Sequence, residues 1–177
     1  MKTEYEVRVL EIDKDKMIKT LECLGAKKIG DWHQKRYVYD IIPKDENSWI
    51  RLRTNGIKTT LTYKSVQAKT IDGTKEAEVE VSSFEETNLI LEQMGHHNRG
   101  FQENKRIQYI LDDVEIDIDT WPKIPTYLEI EGMDEESVNK IIKKLNIDES
   151  KISTLDVQSL YEYYGYDGIH DLKFEEE

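Results

Sequence analysis

Seven segments of this 177-residue chain alternate apolar and polar residues with a period of two, and in most of them the charges of one segment share a sign. Residues two apart in a β-strand lie on the same face, so each segment reads as a strand with one charged and one apolar face. Glu4, Glu6 and Arg8 oppose Tyr5, Val7 and Val9, and Arg51 and Arg53 oppose Ile50 and Leu52. Thr60, Thr62 and Lys64 oppose Leu61 and Tyr63; Glu76, Glu78 and Glu80 oppose Ala77, Val79 and Val81. Arg106 and Gln108 oppose Ile107 and Tyr109; Glu115, Asp117 and Asp119 oppose Val114, Ile116 and Ile118; Glu129 and Glu131 oppose Leu128 and Ile130. A solvated face mixes signs, because like charges side by side repel. Charge sorted by strand demands a counter-charge: cations between the carboxylates, an anion between the arginines.

Period-two alternation predicts about eight strands, near residues 3–10, 26–41, 48–55, 57–66, 75–82, 101–112, 113–121 and 125–132. Asn55-Gly56, Asp72-Gly73 and, more weakly, Asp112-Asp113 mark turns, which makes neighbouring strands antiparallel. Apolar spacing, caps and stops predict helices from Asp13 to Leu24, within 82–95, from Asp134 to Asn146 and from Asp156 to Gly165. The final Phe-Glu-Glu-Glu reads as a mobile end. Two α+β architectures bury the same residues. One is an open sheet with helices on its apolar face. The other is a closed eight-stranded antiparallel barrel with a charged lumen and an outer coat of amphipathic helices. Sorted charge favours the closed tunnel.

Hydrophobic content of 37% supplies a core for one domain. A net charge of −12 argues against nonspecific binding to nucleic acid or to an anionic membrane, but the 25 Lys and Arg could line one polyanion site. There is no long apolar run, and Cys23 has no internal disulfide partner, so a cytoplasmic location is the expectation. Cys23 itself reads as a packed helix residue, and Trp32, Trp49 and Trp121 as apolar coat or tunnel rim.

Glu-Tyr-Glu-Val-Arg at 4–8 resembles the E-x-E-x-K opening of the CYTH superfamily, the triphosphate tunnel metalloenzymes. The likeness continues in order through "RYVYD", "WIRLR", "LTYKS", "EAEVEV", "ENKRIQYIL", "VEIDIDTWPKIPTYLEIEG" and "LYEYYG". It implies a tunnel domain over residues 1–167 and a C-terminal tail over 168–177. It also implies Mg2+ or Mn2+ held by Glu4, Glu6, Asp117 or Asp119, Glu129 and Glu131, with Glu78 and Glu80 as further tunnel carboxylates. Arg8, Arg51, Arg53, Lys64 and Arg106 match the positions that hold the triphosphate, and Glu4, Glu6 and Arg8 those implied in catalysis. The residue types suit these roles: hard divalent cations select carboxylate oxygen, and arginines bind phosphate in bidentate fashion. Arg8 stands where the family has lysine, which suits a phosphate clamp but not a base.

The expected function is metal-dependent hydrolysis of a small-molecule triphosphate, whether nucleoside, thiamine or inorganic, by a monomer or homodimer. The alternatives are a class IV adenylyl cyclase, since the same clamp serves cyclisation, and a non-catalytic triphosphate or polyphosphate binder. The full acidic set speaks against the last.

Overall fold

The computed structural model describes residues 1–175. Eight strands form the wall: β1 (Lys2–Val9), β2 (Lys27–Asp40), β3 (Ser48–Thr54), β4 (Thr59–Val66), β5 (Thr74–Val81), β6 (Asn98–Leu111), β7 (Val114–Thr120) and β8 (Tyr127–Gly132). Their order is β5-β4-β3-β2-β6-β7-β8-β1, every pair is antiparallel, and β1 returns to β5 to close the barrel. That closing seam is short, pairing Lys2 with Glu76, Thr3 with Lys75 and Glu4 with Thr74. A ninth strand the alternation did not signal, β9 (Ile152–Ser153), pairs with Arg8 and Val9 of β1.

The turns follow their residue chemistry. Asp112 and Asp113, the weakest turn signal, make the tightest hairpin: both have positive φ, 51° and 62°, as a two-residue turn of type I′ requires. Lys140 and Lys144 flank Asp112 at 3.3 and 3.0 Å. Asn55 instead heads a wider loop in which its side-chain oxygen accepts from the amides of Ile57 and Lys58, while Gly56 takes φ 86°.

Helices α1 (Lys14–Cys23), α2 (Phe84–Gln93), α3 (Glu135–Lys144) and α4 (Val157–Tyr163) are each capped by the side chain of Asp13, Ser83, Asp134 or Asp156. Val138 and Ile141 of α3 and Leu21 of α1 bury themselves against the outward Val7, Val9, Ile116, Ile118, Leu128 and Ile130. Truncating any of these leucines or isoleucines to Ala would cost about 2–5 kcal/mol. α2 covers Tyr39, Leu52 and Leu61, and α4 packs Leu160 and Tyr161 on Trp121 and Tyr127. The coat is incomplete, since Ala77 and Val79 on the outer face of β5 lie exposed. Cys23 is exposed rather than packed, because Leu21 and Leu24 take the inner stripe of α1.

The C-terminal stretch docks along β6. Leu172 is buried, its amide donates to the carbonyl of Phe101, and its own carbonyl accepts from Glu103. Phe174, expected in a mobile end, sets its ring edge-on to His33 at 5.9 Å and its amide on Glu103. Glu176 and Glu177 lie outside the described residues. Among the described residues no helix is long and apolar enough to cross a membrane.

Candidate functional site

Antiparallel pairing carries the sequence parity into space. One wall of the lumen is acidic: Glu6 faces Glu131 and Arg8 faces Glu129 across β1–β8, and Glu129 faces Asp117 across β8–β7. The opposite wall is basic. Arg36 faces Arg53 across β2–β3, and Arg51 lies beside Thr62 and then Glu78 on β4 and β5. Between the walls lies a cavity of about 280 Å3, bordered by Glu6, Arg8, Arg36, Trp49, Arg51 and Lys64 and covered by residues 154–162 leading into α4.

Glu4, Glu6 and Glu131 come together, each offering a carboxylate oxygen within 4.8 Å of the others. Burial raises the pKa of all three; Lys64, Arg8 and Lys2 respectively oppose that rise, and neighbouring carboxylates add to it. Like charges crowded out of water are costly unless a cation joins them. Their oxygen donors fit a hard divalent ion. Asp117 stands apart from this cluster: its Oδ2 pairs with Arg106, while its buried Oδ1 accepts no hydrogen bond.

The remaining acidic residues are held by guanidinium groups. Arg106 Nε lies 2.8 Å from Asp119 Oδ1, its Nη2 3.1 Å from Glu129, and its Nη1 pairs with Asp117. Arg8 Nη2 reaches Glu129 at 2.7 Å and Glu6 at 3.0 Å, while Nη1 donates to the carbonyl of Leu155 at 2.8 Å. Burial works against both charges, but Arg8 and then Arg106 outweigh it for Glu129, and Glu6 and then Glu129 outweigh it for Arg8. Glu129 falls well below the carboxylate range, and Arg8 rises well above its ordinary value. Arg8 is thus a fixed cation.

Lys64 Nζ sits on Glu4, 2.8 and 2.9 Å from its two oxygens, with Glu76 at 3.7 Å. Arg51 and Arg53 lean on Glu78 at 3.4 and 3.9 Å, and Glu78 also accepts from Thr62 at 2.7 Å. Burial and the neighbouring Arg51 and Arg106 push Arg53 down to about 10. Glu80 lies exposed at the rim on Lys58, so Glu78 and Glu80 belong to the basic side of the tunnel and not to the carboxylate cluster.

Sequence reasoning missed Gln34, Arg36, Gln102 and Asn104, all buried lumen residues of β2 and β6. Their signal was present but mixed: "HQKRYVYD" places charge on both faces, Lys35 on one and Arg36 and Asp40 on the other, while the aromatics Tyr37 and Tyr39 sit on the outer face under α2. Trp121 is neither coat nor rim alone. Its buried ring lies 4.5 Å from the Arg36 guanidinium, packed against Tyr161.

The family model described as the CYTH domain matches residues 2–158. A search of curated proteins returned no match. Among solved structures, PH1012 protein from Pyrococcus horikoshii is 22% identical with a TM-score of 0.76, covering 86% of this chain and 96% of that one. A protein from Vibrio parahaemolyticus described as a candidate adenylate cyclase is 11% identical with a TM-score of 0.78, covering 91% and 98%. HpAC1 from Hippeastrum, described as a candidate adenylyl cyclase with a dominant triphosphatase activity, is 16% identical with a TM-score of 0.61, covering 96% and 100%. At these identities the likeness is one of fold.

Proposed function

The chain belongs to the CYTH domain family, and on that premise we propose that it is a divalent-metal-dependent enzyme hydrolysing a small triphosphate inside its tunnel. The observation that carries the reading is the pairing of a crowded carboxylate trio, Glu4, Glu6 and Glu131, with arginines across one lumen. A polyanion alone would be served by the basic wall; three carboxylates crowded at its side favour a cation that accompanies the anion.

Mg2+ or Mn2+ bound by Glu4, Glu6 and Glu131 would supply positive charge against the phosphate oxygens. The chain's own groups do the rest. Arg51 and Arg53 present planar forks to phosphate oxygens, and Lys64 adds a point charge between Glu4 and the cavity. Arg8 positions Glu6 and Glu129 and, through Leu155, ties the segment before α4 to the lumen. Phosphoryl transfer needs little more than such positioning and electrostatic stabilisation, with water in line with the terminal phosphorus. The residues covering the cavity narrow its access to solvent, and a lower local dielectric strengthens these interactions.

The deciding experiment follows phosphate release and cyclic-nucleotide formation side by side on tripolyphosphate, ATP, GTP and thiamine triphosphate with Mg2+ or Mn2+. Metal-dependent phosphate release supports hydrolysis. Cyclic AMP as the main product would make the chain a class IV adenylyl cyclase, and binding without turnover under every condition would make it a triphosphate binder.

A further inference from the structure

Arg36 differs from every other arginine of the lumen. Arg8, Arg51, Arg53 and Arg106 each have a carboxylate within ion-pair distance, whereas among the described residues Arg36 has none. It is 5% exposed. Its Nη2 donates to the neutral side-chain oxygens of Gln34, at 3.1 Å, and Asn104, and its Nε has no acceptor. Trp121 lies 4.5 Å from the guanidinium carbon, a cation–π contact that fixes the plane of the fork. Arg36 is aligned with Arg53 across β2–β3 and borders the central cavity together with Arg51.

A buried cation without a counter-ion is expensive, and this one also faces like charges. Burial, then Arg53, Arg51 and Arg106, push the Arg36 pKa well below its ordinary value. A group that served only the fold would be cheaper as an apolar residue. Arg51 and Arg53 share the single carboxylate of Glu78 and Arg36 reaches none, so three guanidiniums stand against one carboxylate on the basic wall and two positive charges are left without an ion-pair partner. An internal or esterified phosphoryl group brings one negative charge, whereas a terminal phosphoryl, with a second pKa of about 6, brings nearly two at neutral pH and three oxygens.

We propose that Arg36 is a substrate-binding residue that completes, with Arg51 and Arg53, a three-guanidinium subsite for the doubly charged terminal phosphoryl group of the triphosphate. This rests on the triphosphate reading above and adds to it a residue and a preference: the subsite selects a free phosphate end over a capped or cyclic one. Gln34, Asn104 and Trp121 are the positioning residues that hold the fork in place.

The test is calorimetric binding of linear tripolyphosphate and of cyclic trimetaphosphate, which has no terminal phosphoryl, to the full chain without divalent cation. The wild-type protein, Arg36→Gln and Arg36→Lys are compared, with melting followed with and without ligand. Arg36→Gln should weaken tripolyphosphate about ten- to a hundredfold, the value of one charged hydrogen-bonding group, and trimetaphosphate markedly less. Its ligand-free melting temperature should hold or rise, because an unpaired buried charge is gone. Arg36→Lys should fall between the two and serves if the Gln variant fails to fold. Unchanged tripolyphosphate affinity in the folded variants, or equal losses on both ligands, overturns the subsite while leaving the triphosphate reading intact. A ligand-free melting temperature that drops while the ligand-induced shift stays whole identifies a structural residue and also overturns it. If the wild-type protein binds tripolyphosphate only with a divalent cation present, the same comparisons are read with that cation; failure to bind under either condition removes the triphosphate reading and the subsite with it.

Discussion

Lys64 and Glu4 meet across the barrel seam, with the ammonium nitrogen 2.8 and 2.9 Å from the two carboxylate oxygens. The same carboxylate belongs to the crowded trio with Glu6 and Glu131, so the ammonium occupies part of the role expected of a metal ion. Lys64→Met should lower metal-free stability by about 3 kcal/mol, because one half of a buried pair is left alone. Mg2+ should restore much of that loss, measured as a larger melting shift in the variant than in the wild-type protein. Equal shifts would separate Lys64 from the metal site.

Glu129 and Glu131 share one face of one strand, yet their surroundings divide them. Glu129→Gln removes one of the two carboxylates on Arg8 and one of the three on Arg106, and should destabilise the metal-free protein by about 1.5 to 3 kcal/mol, the value of a charged hydrogen bond. Glu131→Gln relieves repulsion with Glu4 and Glu6 and should hold or gain stability while losing the metal-induced shift. Denaturant unfolding of the two variants with and without Mg2+ checks this, and indistinguishable curves would sink the distinction.

The raised pKa values of Glu4, Glu6 and Glu131 set a pH dependence. Their protons bind the native state better than the unfolded chain, so this contribution to stability is lost as pH rises from about 4.5 through the raised values. Glu129, held low, acts in the opposite sense, but only as pH falls below the ordinary carboxylate range. The metal-free protein should therefore melt lower at pH 7 than at pH 5, the slope should flatten in Glu131→Gln, and stabilisation by Mg2+ should grow with pH. A metal shift independent of pH would contradict the cluster.

Arg8→Lys should leave the shape of the kcat–pH profile unchanged, since Arg8 is a fixed cation between Glu6 and Glu129. A lysine cannot span Glu6, Glu129 and the carbonyl of Leu155 at once, so KM should rise severalfold as the segment before α4 loosens. A new alkaline limb in the profile would give position 8 a role in proton transfer.

Arg51→Ala with Arg53→Ala should weaken tripolyphosphate binding by several kcal/mol, taking about 1.5 to 3 kcal/mol for each charged hydrogen bond. Circular dichroism should be unchanged, because Glu78, itself close to solvent, loses its two guanidinium partners but keeps the hydrogen bond from Thr62. A variant that unfolds would mark these arginines as structural.

The barrel was legible because strand parity survives packing: what alternates in sequence divides inside from outside. The trio of Glu4, Glu6 and Glu131 was less so. Which carboxylates meet depends on the register and shear of β1, β7 and β8, and no period reports these. Sequence alone could not tell Glu129 from Glu131, because the difference is the reach of Arg8 and Arg106 from neighbouring strands. Arg36 was hidden by the aromatic outer face of its own strand, and the docking of Leu172 by a segment whose hydrogen bonds are all to a distant strand.

The seam joins residues far apart in the order of synthesis. β1 is made first, yet its partners are β5, β8 and β9, so it stays unsatisfied until residue 153 has left the ribosome. Pairings of such separation form late, because the entropy of closing long loops must be met before the contacts return anything. Glu4 and Glu6 ride on that strand and Glu131 on its partner, so the carboxylate trio is born only when the ring shuts. A nascent or clipped chain ending before Tyr127 would carry every arginine of the basic wall and no assembled acidic cluster. Closure and the carboxylate cluster therefore arrive together, and an incomplete copy of the chain lacks the cluster on which the proposed metal binding depends.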